Sequence, residues 1–252
     1  MKLYGDYHTH TVYSHGTGTI EENVLVAIEK GLKEIAITDH GLKHVVFGLR
    51  KKKVFEMKKE IAVLQEKYPQ IKIYAGVEAN INGLGGTVDL NEESIGWFDI
   101  IVAGYHKAVW PRKFSDFFTY HYSSLHEKLF GAPTKKMRAR STDAFVKAIE
   151  KYPIDILSHI NYGLGVEVKP VAEACAEFGT YLELNGKRIN PTRKEFEDIL
   201  STKVMFTADS DAHSPERVGE ISLIENYVKG YGIEHRIVNL TGTPDFRSWK
   251  NK

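Results

Sequence analysis

The segment LYGDYHTHTVYSHGTGTIEENVLVAIEKGLKEIAITDHG, residues 3–41, decides the fold. It contains a short apolar run, then a helical pattern, then a second short apolar run, which predicts a strand, a helix and a strand. Thr19 and Glu22 form a capping-box signature at the start of the helix, and Gly31 provides its stop signal. This order predicts two parallel strands joined by a right-handed crossover.

The same alternation continues along the chain. Seven short apolar, β-branched runs are predicted strands: LYGDY, EIAIT, IKIYAGVEANI, IIVAG, DILSH, TYLELN and VMFTAD. Apolar residues at helical spacing lie between them, in TIEENVLVAIEKG, KKVFEMKKEIAVLQEKY, STDAFVKAIEKY, VKPVAEACAEFG and PTRKEFEDIL. Alternating strands and helices favour a parallel sheet, either open and doubly wound or closed into a barrel.

Potential ligand side chains follow nearly every predicted strand on its C-terminal side. An open sheet gathers such groups mainly at one crevice, whereas a barrel brings all its strand ends to one rim. The barrel is therefore the better fit. The side chains concerned are His8, His10, Asp39, His40, Glu78, His106, His159, Glu183, Asn185, Asp209, Asp211 and His213.

Length and charge narrow the class of protein. A chain of 252 residues can bury one substantial core, so we expect a single domain. The formal net charge of +1 gives no global field that would favour nucleic acid or a membrane. No run reaches the roughly 18 apolar residues of a membrane span, and the start MKLYGDYHTH lacks the apolar stretch of a signal peptide. We expect a cytoplasmic protein with no membrane partner; the sequence does not indicate its oligomeric state.

The strand-end residues have the chemistry of a metal site. His8 and His10 lie two residues apart in a strand, so both can face one ion. The motifs TDH at 38–40 and DAH at 211–213, with Glu78, fall where a barrel places its active site. The only cysteine, Cys175, lies in a helical pattern and is expected to pack as a buried thiol.

The sequence resembles the polymerase and histidinol phosphatase (PHP) superfamily of metal-dependent phosphoesterases. The motifs that carry the resemblance are DYHTHTVYSH at 6–15, TDHG at 38–41, GVEANI at 76–81, GYH at 104–106, SHIN at 158–161 and SDAH at 210–213. They occur in the family's order and span most of the chain. The resemblance implies an α/β fold, a distorted seven-stranded (β/α) TIM-like barrel forming one PHP-like domain over residues 1–252.

The resemblance also implies three divalent metal ions, usually zinc, manganese or iron. The implied ligands are His8, His10, Glu78 and Asp211 for the first ion, His15, His40 and His213 for the second, and Glu78, His106 and His159 for the third. Mixed imidazole and carboxylate ligands without thiolate suit these metals. The family often has Pro-Gly after the histidine at 159, whereas this chain has Ile160 and Asn161.

The expected mechanism follows from charge. Clustered divalent ions lower the pKa of bound water and stabilise the charge that builds up on a phosphoryl group. We expect a metal-bridging hydroxide to attack a phosphate ester, with Glu78 and Asp211 fixing the ions. Arg188 could contact the phosphate from the rim, although an exposed Arg is more often a solvated surface residue. Lys187 and Arg217 are weaker candidates for this contact.

Other polar residues have less specific expectations. Asp6 and Asp39 either fix the tautomer of a neighbouring histidine or pair locally. Glu183, Asn185 and Asp209 are expected to form hydrogen bonds at the barrel mouth rather than to bind metal. Surface or partly buried positions are expected for the histidines outside the family motifs, which are His44, His121, His126 and His235. The basic run at residues 50–53 is expected to be a solvated face of a helix.

These expectations favour a small-molecule phosphomonoesterase acting on histidinol phosphate, a nucleotide or a sugar phosphate. The alternative is a nucleic-acid-processing nuclease or phosphodiesterase, because residues 107–140 contain eight Lys or Arg against two Asp or Glu, interleaved with aromatic residues. The long segment 105–140 could equally form an aromatic lid over a small substrate. A non-catalytic metal-binding module is a third reading, although structural metal sites are usually rich in thiolates.

Overall fold

The computed structural model describes residues 1–107, 109–111 and 134–251, in which short strands alternate with helices. The strands are β1 Gly5–Thr9, β2 Glu34–Ile37, β3 Lys72–Gly83, β4 Thr87–Val88, β5 Ile100–Gly104, β6 Ile156–Leu157, β7 Tyr181–Asn185 and β8 Phe206–Asp209. The helices are α1 Ile20–Glu29, α2 Lys51–Lys67, α3 Glu92–Ile95, α4 Lys135–Lys151, α5 Val168–Phe178, α6 Arg193–Leu200 and α7 Ser222–Val228. Short 3-10 turns cover Pro215–Arg217, Glu234–Arg236, Val238–Leu240 and Arg247–Asn251.

Seven parallel strands form a nearly closed barrel in the order β1, β2, β3, β5, β6, β7, β8. All seven were predicted from the sequence, and the barrel rather than the open sheet is confirmed. The two-residue strand β4 was not predicted; it pairs antiparallel with the end of β3. Because β3 is 12 residues long, it extends past the barrel and carries this small hairpin above the rim.

Side chains close the seam between β1 and β8. The backbone N–H of Tyr7 donates to Oδ1 of Asp209 at 2.8 Å. The amide of Asn239 donates to the carbonyl of Gly5 at 2.9 Å and to that of Ala208 at 2.8 Å, so it joins both strands. Side chains thus satisfy backbone groups that a regular ladder would pair, which accounts for the distortion of the barrel.

A bulge in β1 changes where its side chains point. The register of β1 against β2 shifts between Asp6 and Thr9, where two residues, Tyr7 and His8, lie opposite one, Ala36. An extra residue of this kind bends the strand and redirects a side chain. As a result Tyr7 packs into the cluster inside the barrel, while the next residue, His8, also reaches the interior side near Glu78.

The helix boundaries follow local sequence signals. Thr19 and Glu22 form the predicted capping box at the start of α1, and Gly31 ends this segment with φ of +76°. Helix α4 begins earlier than residues 141–152 predicted, because the Thr134 hydroxyl accepts the backbone N–H of Met137 and caps it. Among the described residues, no helix is both long and apolar enough to cross a membrane.

Two apolar layers hold the fold together. The larger lies between the strands and the surrounding helices and includes Cys175, which is buried as expected. The smaller lies inside the barrel and contains Tyr7, Ala36, Ile100, Val102, Ile156 and Phe246. Phe246 comes from the C-terminal segment, which therefore covers the end of the barrel where the strands begin.

Candidate metal centre

Glu78, on β3, lies at the centre of the rim and is almost completely buried. Burial opposes its ionisation, yet the neighbouring imidazoles of His106 and His8 hold the pKa of this carboxyl well below its usual value. Five imidazole nitrogens lie within 3.5 Å of its oxygens: His159 Nε2 at 2.8 Å, His40 Nδ1 at 3.0 Å, His8 Nε2 and His106 Nε2 at 3.3 Å, and His10 Nε2 at 3.5 Å.

The nine ligands implied by the sequence resemblance lie together at this rim, although their grouping differs in detail from the expected sets. Three groups have ligand atoms within 4.8 Å of one another: His10, His15, His40 and His213; His8, His10 and Asp211; and His40, Glu78 and His106. His10 and His40 are each shared by two groups. His159 is in none of them but contacts Glu78 directly.

Several imidazole nitrogens at the rim have no hydrogen-bond partner, which bears on whether these side chains could bind divalent ions. Among the described residues, Nδ1 of His10, of His15 and of His40 is buried without a hydrogen-bond partner; His40 Nδ1 lies near Glu78 but not in hydrogen-bonding geometry. Buried polar atoms are normally paired. The Nε2 atoms of His8 and His10 also face each other at 3.1 Å. Lone pairs brought together in this way, with two carboxylates, fit a divalent ion that binds nitrogen and oxygen.

Hydrogen bonds orient two of the imidazoles. His8 Nδ1 lies 2.5 Å from Oε1 of Glu183, which leaves Nε2 facing Glu78. Burial alone would lower the pKa of His8, but the carboxylates of Glu183 and Glu78 raise it well above its usual value. His106 Nδ1 lies 2.7 Å from Oδ1 of Asn80, whose amide donates to Asp89 at 2.6 Å. Acceptors of this kind fix which ring nitrogen is free to bind metal.

The sequence did not identify Asn80 and Asp89 as functional residues. Asn80 lies two residues after Glu78 in β3, so its side chain faces the same side of the strand. This spacing is the signal that could have identified it. Asp89 follows the unpredicted strand β4 and so could be placed only once the hairpin was known. Glu183 forms hydrogen bonds at the barrel mouth, as expected.

Asp6 and Asp39 pair locally and do not hydrogen-bond a ligand imidazole. Asp39 accepts the backbone N–H and hydroxyl of Thr11 at 2.8 Å and 2.5 Å, and also the hydroxyl of Ser14. Its distance of 4.0 Å from His10 Nδ1 is too long for a hydrogen bond. Asp6 accepts the backbone N–H and hydroxyl of Ser210 at 3.1 Å and 2.5 Å. Both carboxylates therefore hold loops that carry candidate ligands.

Three non-glycine residues near the rim have positive φ: His159 at +29°, Asn161 at +64° and Asp211 at +49°. Such backbone conformations cost roughly 1–3 kcal/mol each and concentrate at functional sites. Asn tolerates the left-handed region better than most residues. Asn161 can therefore adopt the positive φ of this position without the glycine that the family often has there.

A cavity of about 270 Å³ opens above the histidines. Among the described residues, three cationic side chains line it: Lys107, Lys187 and Arg188. The Arg188 guanidinium lies 4.0 Å from the ring centre of Tyr162, which holds its plane in place. Lys187 Nζ lies 2.9 Å from His213 Nδ1, and burial lowers the pKa of this lysine. Positive charge beside two buried carboxylates and several imidazoles suits an anionic ligand.

Several other expectations can be compared with the structure. His44 is partly buried, as expected, but its place on the wall of the cavity was not predicted. Arg217 does not line the cavity; it donates to the carbonyl of Gly186 at 3.1 Å. His235 and residues 50–53 are exposed, as expected, and Lys51 forms an ion pair with Glu93. His121, His126 and most of the aromatic and basic segment lie outside the described residues.

The comparisons with known proteins agree with this geometry. A model of the PHP domain family matches residues 6–189. A protein named "probable phosphatase" from Thermoanaerobacter sp. strain X514 is 32% identical, covering 94% of this chain and 90% of that protein. The chain belongs to the PHP domain family. A second PHP relative, also named "probable phosphatase", from Caldanaerobacter subterraneus, is 31% identical over 84% of this chain and 77% of its own length.

A solved structure supports the fold of this PHP protein. The histidinol phosphate phosphatase of Lactococcus lactis subsp. lactis, in complex with zinc, L-histidinol and phosphate, has a TM-score of 0.61 and 18% identity. It covers 92% of this chain and 94% of its own. The enzyme class expected from the sequence, a metal-dependent phosphatase, is confirmed by the family and its members.

Proposed function

We propose that this PHP phosphatase hydrolyses small phosphomonoesters at a centre of up to three divalent ions. The observation that carries the proposal is the cavity itself. Its floor is formed by clustered imidazoles with Glu78 and Asp211, and three cationic side chains line it. A phosphate dianion needs both features at once, because bound metal and fixed cations together offset its charge.

Three groups of residues would hold the ions. A neutral imidazole has one lone pair, so His10 and His40, which lie in overlapping groups, would each bind one ion. The sets are then His8, His10 and Asp211; His15, His40 and His213; and Glu78 with His106, which His159 would complete through its contact with Glu78. When bound, the ions supply Lewis acidity, which makes water nucleophilic near neutral pH and offsets phosphoryl charge. Zinc, manganese and iron all suit these ligands, and the identity of the nucleophile stays a prediction.

Arg188 and Lys187 would bind and orient the phosphate. The planar guanidinium of Arg188 can donate two parallel hydrogen bonds to phosphate oxygens, and packing against Tyr162 keeps it pre-oriented. Lys187 lies between the candidate ligands Asp211 and His213, so its ammonium group can approach an oxygen close to the metals. Both residues lie just after β7, and their backbone N–H groups donate to Oδ1 of Asn185 at 2.9 Å and 3.0 Å, which fixes their backbone at the rim.

The substrate would be small. The cavity of about 270 Å³ lies just below the usual range for small-molecule sites, roughly 300–1,000 Å³. Histidinol phosphate is one candidate, since the related structure from Lactococcus lactis contains histidinol and phosphate. Nucleotides and sugar phosphates stay equally open. A cytoplasmic location and a single domain over residues 1–252 also stay predictions.

The nuclease alternative depends on the basic and aromatic segment, most of which lies outside the described residues. It stays a prediction without a structural observation in its favour. A steep fall of oligonucleotide binding with salt would support it. Absence of oligonucleotide binding at low salt would remove it.

The deciding experiment measures phosphate release after reconstitution of metal-free protein with zinc, manganese or iron. Substrates are p-nitrophenyl phosphate, a panel of phosphomonoesters that includes histidinol phosphate, and short oligonucleotides. Metal-dependent hydrolysis of monoesters, absent in Glu78→Ala, is the expected result. Cleavage confined to oligonucleotides would replace the proposal with the nuclease reading, and no hydrolysis with any metal would overturn it.

A further inference from the structure

Four rings at the mouth of the cavity form a stacked group, here called the ring tetrad. Neighbouring ring centres of the tetrad are 4.6 to 5.3 Å apart, and the two rings of each pair are within 28° of parallel. The pairs are His15 with His40 at 4.6 Å and 13°, His40 with His44 at 5.0 Å and 19°, His44 with Phe47 at 5.3 Å and 28°, and Phe47 with His15 at 4.7 Å and 23°. The four contacts form a closed circuit, so each ring restricts two others.

Two members of the tetrad are candidate metal ligands that lack an orienting hydrogen bond. His8 and His106 each have an acceptor on Nδ1, provided by Glu183 and Asn80. Among the described residues, neither ring nitrogen of His15 or His40 has a hydrogen-bond partner; His40 Nδ1 faces Glu78 at 3.0 Å, so Nε2 is the nitrogen of that ring without an orienting acceptor. Packing against flat neighbours must therefore set the planes of these two rings.

The loop that carries the other two members is held tightly. The backbone N–H of Phe47 donates to Nδ1 of His44 at 3.1 Å, which leaves the ring proton of neutral His44 on Nε2. The N–H of Leu49 donates back to the carbonyl of His40 at 3.1 Å. A Cβ on Gly48 would lie 2.6 Å from the His44 carbonyl oxygen, so only glycine allows this close turn. The loop thus fixes Phe47 and His44 relative to His40.

We propose that Phe47 and His44 are positioning residues for the ion held by His15, His40 and His213. The inference rests on the proposed metal centre and adds a function for two residues that bind neither metal nor phosphate in it. Stacking would hold the imidazoles near their metal-bound orientation before the ion arrives, in place of the usual hydrogen bond to the second ring nitrogen. Loss of an orienting partner typically weakens metal binding by roughly 10–100-fold.

The test measures metal affinity and stoichiometry without any turnover. Metal-free wild type and variants are titrated with Zn²⁺ against a chelator, and bound zinc is counted by mass spectrometry. Phe47→Leu removes the ring but keeps an apolar side chain, whereas Phe47→Tyr keeps the ring. Phe55→Leu is the matched control, because Phe55 is 42% exposed, similar to 38% for Phe47, but lies on α2 outside the cavity.

In the expected result, Phe47→Leu weakens the binding of one zinc ion by about 10–100-fold, while the remaining ions bind as in wild type. Phe47→Tyr and Phe55→Leu retain all affinities. His44→Phe, which keeps a flat ring, retains more affinity for this ion than His44→Ala. In the Co²⁺-substituted protein, Phe47→Leu also changes the visible absorption of a single ion.

Two outcomes overturn the proposal. Equal affinities in wild type and Phe47→Leu would show that stacking does not position His15 and His40. Equal weakening of the binding of every ion would show that the substitution disturbs the whole structure and not only the positions of His15 and His40. Wild type that binds no divalent ion would overturn the metal centre itself, which separates that failure from failure of the positioning inference alone.

Discussion

Oε1 of Glu183 lies 2.5 Å from Nδ1 of His8, and both side chains are fully buried. The other oxygen, Oε2, accepts the backbone N–H of His159 at 2.8 Å and the amide of Asn185 at 2.8 Å. One carboxylate on β7 thus fixes the ring of a ligand candidate on β1 and the backbone of another after β6. Glu183 couples three strands of the barrel at the point where the metal centre is proposed.

Glu183→Gln tests this coupling. The amide replaces one acceptor oxygen with a donor, so either His8 or the His159 backbone loses its partner. We expect metal affinity to fall by roughly 10–100-fold. Competition with a chelator measures the change. Glu197→Gln, on the exposed face of α6, is the control and should bind metal like wild type; equal affinity in Glu183→Gln would show that His8 needs no orienting acceptor.

Glu78→Ala removes the carboxylate that five imidazole nitrogens approach. We expect the variant to lose bound metal and its turnover to fall by more than about 100-fold. This effect is larger than that of replacing a residue that only orients a ligand. Elemental analysis and phosphate release measure the two quantities on one preparation. Retention of both would contradict the central place given to Glu78.

Arg188→Ala should raise KM more than it lowers metal content. A hydrogen bond to a charged group contributes about 1.5–3 kcal/mol, which corresponds to a rise in KM of roughly 10–100-fold. Arg193→Ala provides a close control, because Arg193 also packs on a tyrosine, Tyr227, at 4.3 Å, but does not line the cavity. If both variants have the same KM, Arg188 does not contact the substrate.

The sequence predicted the barrel because its strands and helices depend on local patterns. Apolar runs and the capping box at Thr19 and Glu22 act within a few residues, so a single sequence contains them. Candidate ligands at strand ends could be named from the pattern, since parallel strands bring their C-terminal ends to one rim, whereas His15 was named only from the family resemblance. The two-residue strand β4 lacked such a signal, because its position depends on how far β3 extends beyond the barrel.

His44 and Asn80 show why other parts of the site could not be predicted. Each acts through a neighbour that is distant in sequence or on a loop without periodicity: Asn80 through His106, and His44 through Phe47 and His40. A histidine that matches no motif is indistinguishable from a surface residue until its ring neighbours are known. The bulge in β1 that directs both Tyr7 and His8 inward was hidden for the same reason.

Asp155, which lies away from the proposed metal centre, should make the stability of the protein depend on pH. This buried carboxyl accepts the backbone N–H groups of Ile101 and Ser248, each at 2.8 Å, and Arg247 is the charged group near it. Burial raises its pKa from 3.8 to about 6, partly offset by these hydrogen bonds. The folded state therefore binds more protons than the unfolded state between about pH 4 and pH 6, so the free energy of unfolding falls as pH rises through this window.

Asp155→Asn should remove this dependence. A rise in pKa of about two units on folding corresponds to about 3 kcal/mol. The free energy of unfolding of the variant, relative to that of wild type, should therefore rise by about that amount from pH 4 to pH 7. Denaturant unfolding of both metal-free proteins at the two pH values measures it. The opposite sign, with wild type gaining stability relative to the variant, would mean that Asp155 is ionised at low pH in the folded protein.

Phe246 should be important for stability but not for chemistry. Its ring is fully buried and packs edge-on against Tyr7 at 5.1 Å and Trp249 at 5.0 Å, while Trp249 donates to the carbonyl of Asp99 at the start of β5. Phe246→Ala should cost about 3–5 kcal/mol and lower Tm by on the order of 10 °C, because it opens a void at the end of the barrel away from the rim.

Thermal unfolding and turnover per folded molecule separate the two effects for Phe246→Ala. Phe55→Ala, at a partly exposed ring on α2, should change Tm by far less. Because the candidate metal ligands and the cationic residues proposed to bind phosphate lie at the opposite ends of the strands, we expect kcat at a temperature where the variant is folded to match wild type. A large fall in kcat there would mean that the C-terminal segment also determines the geometry of the rim, since Tyr7 links Phe246 to His8 through β1.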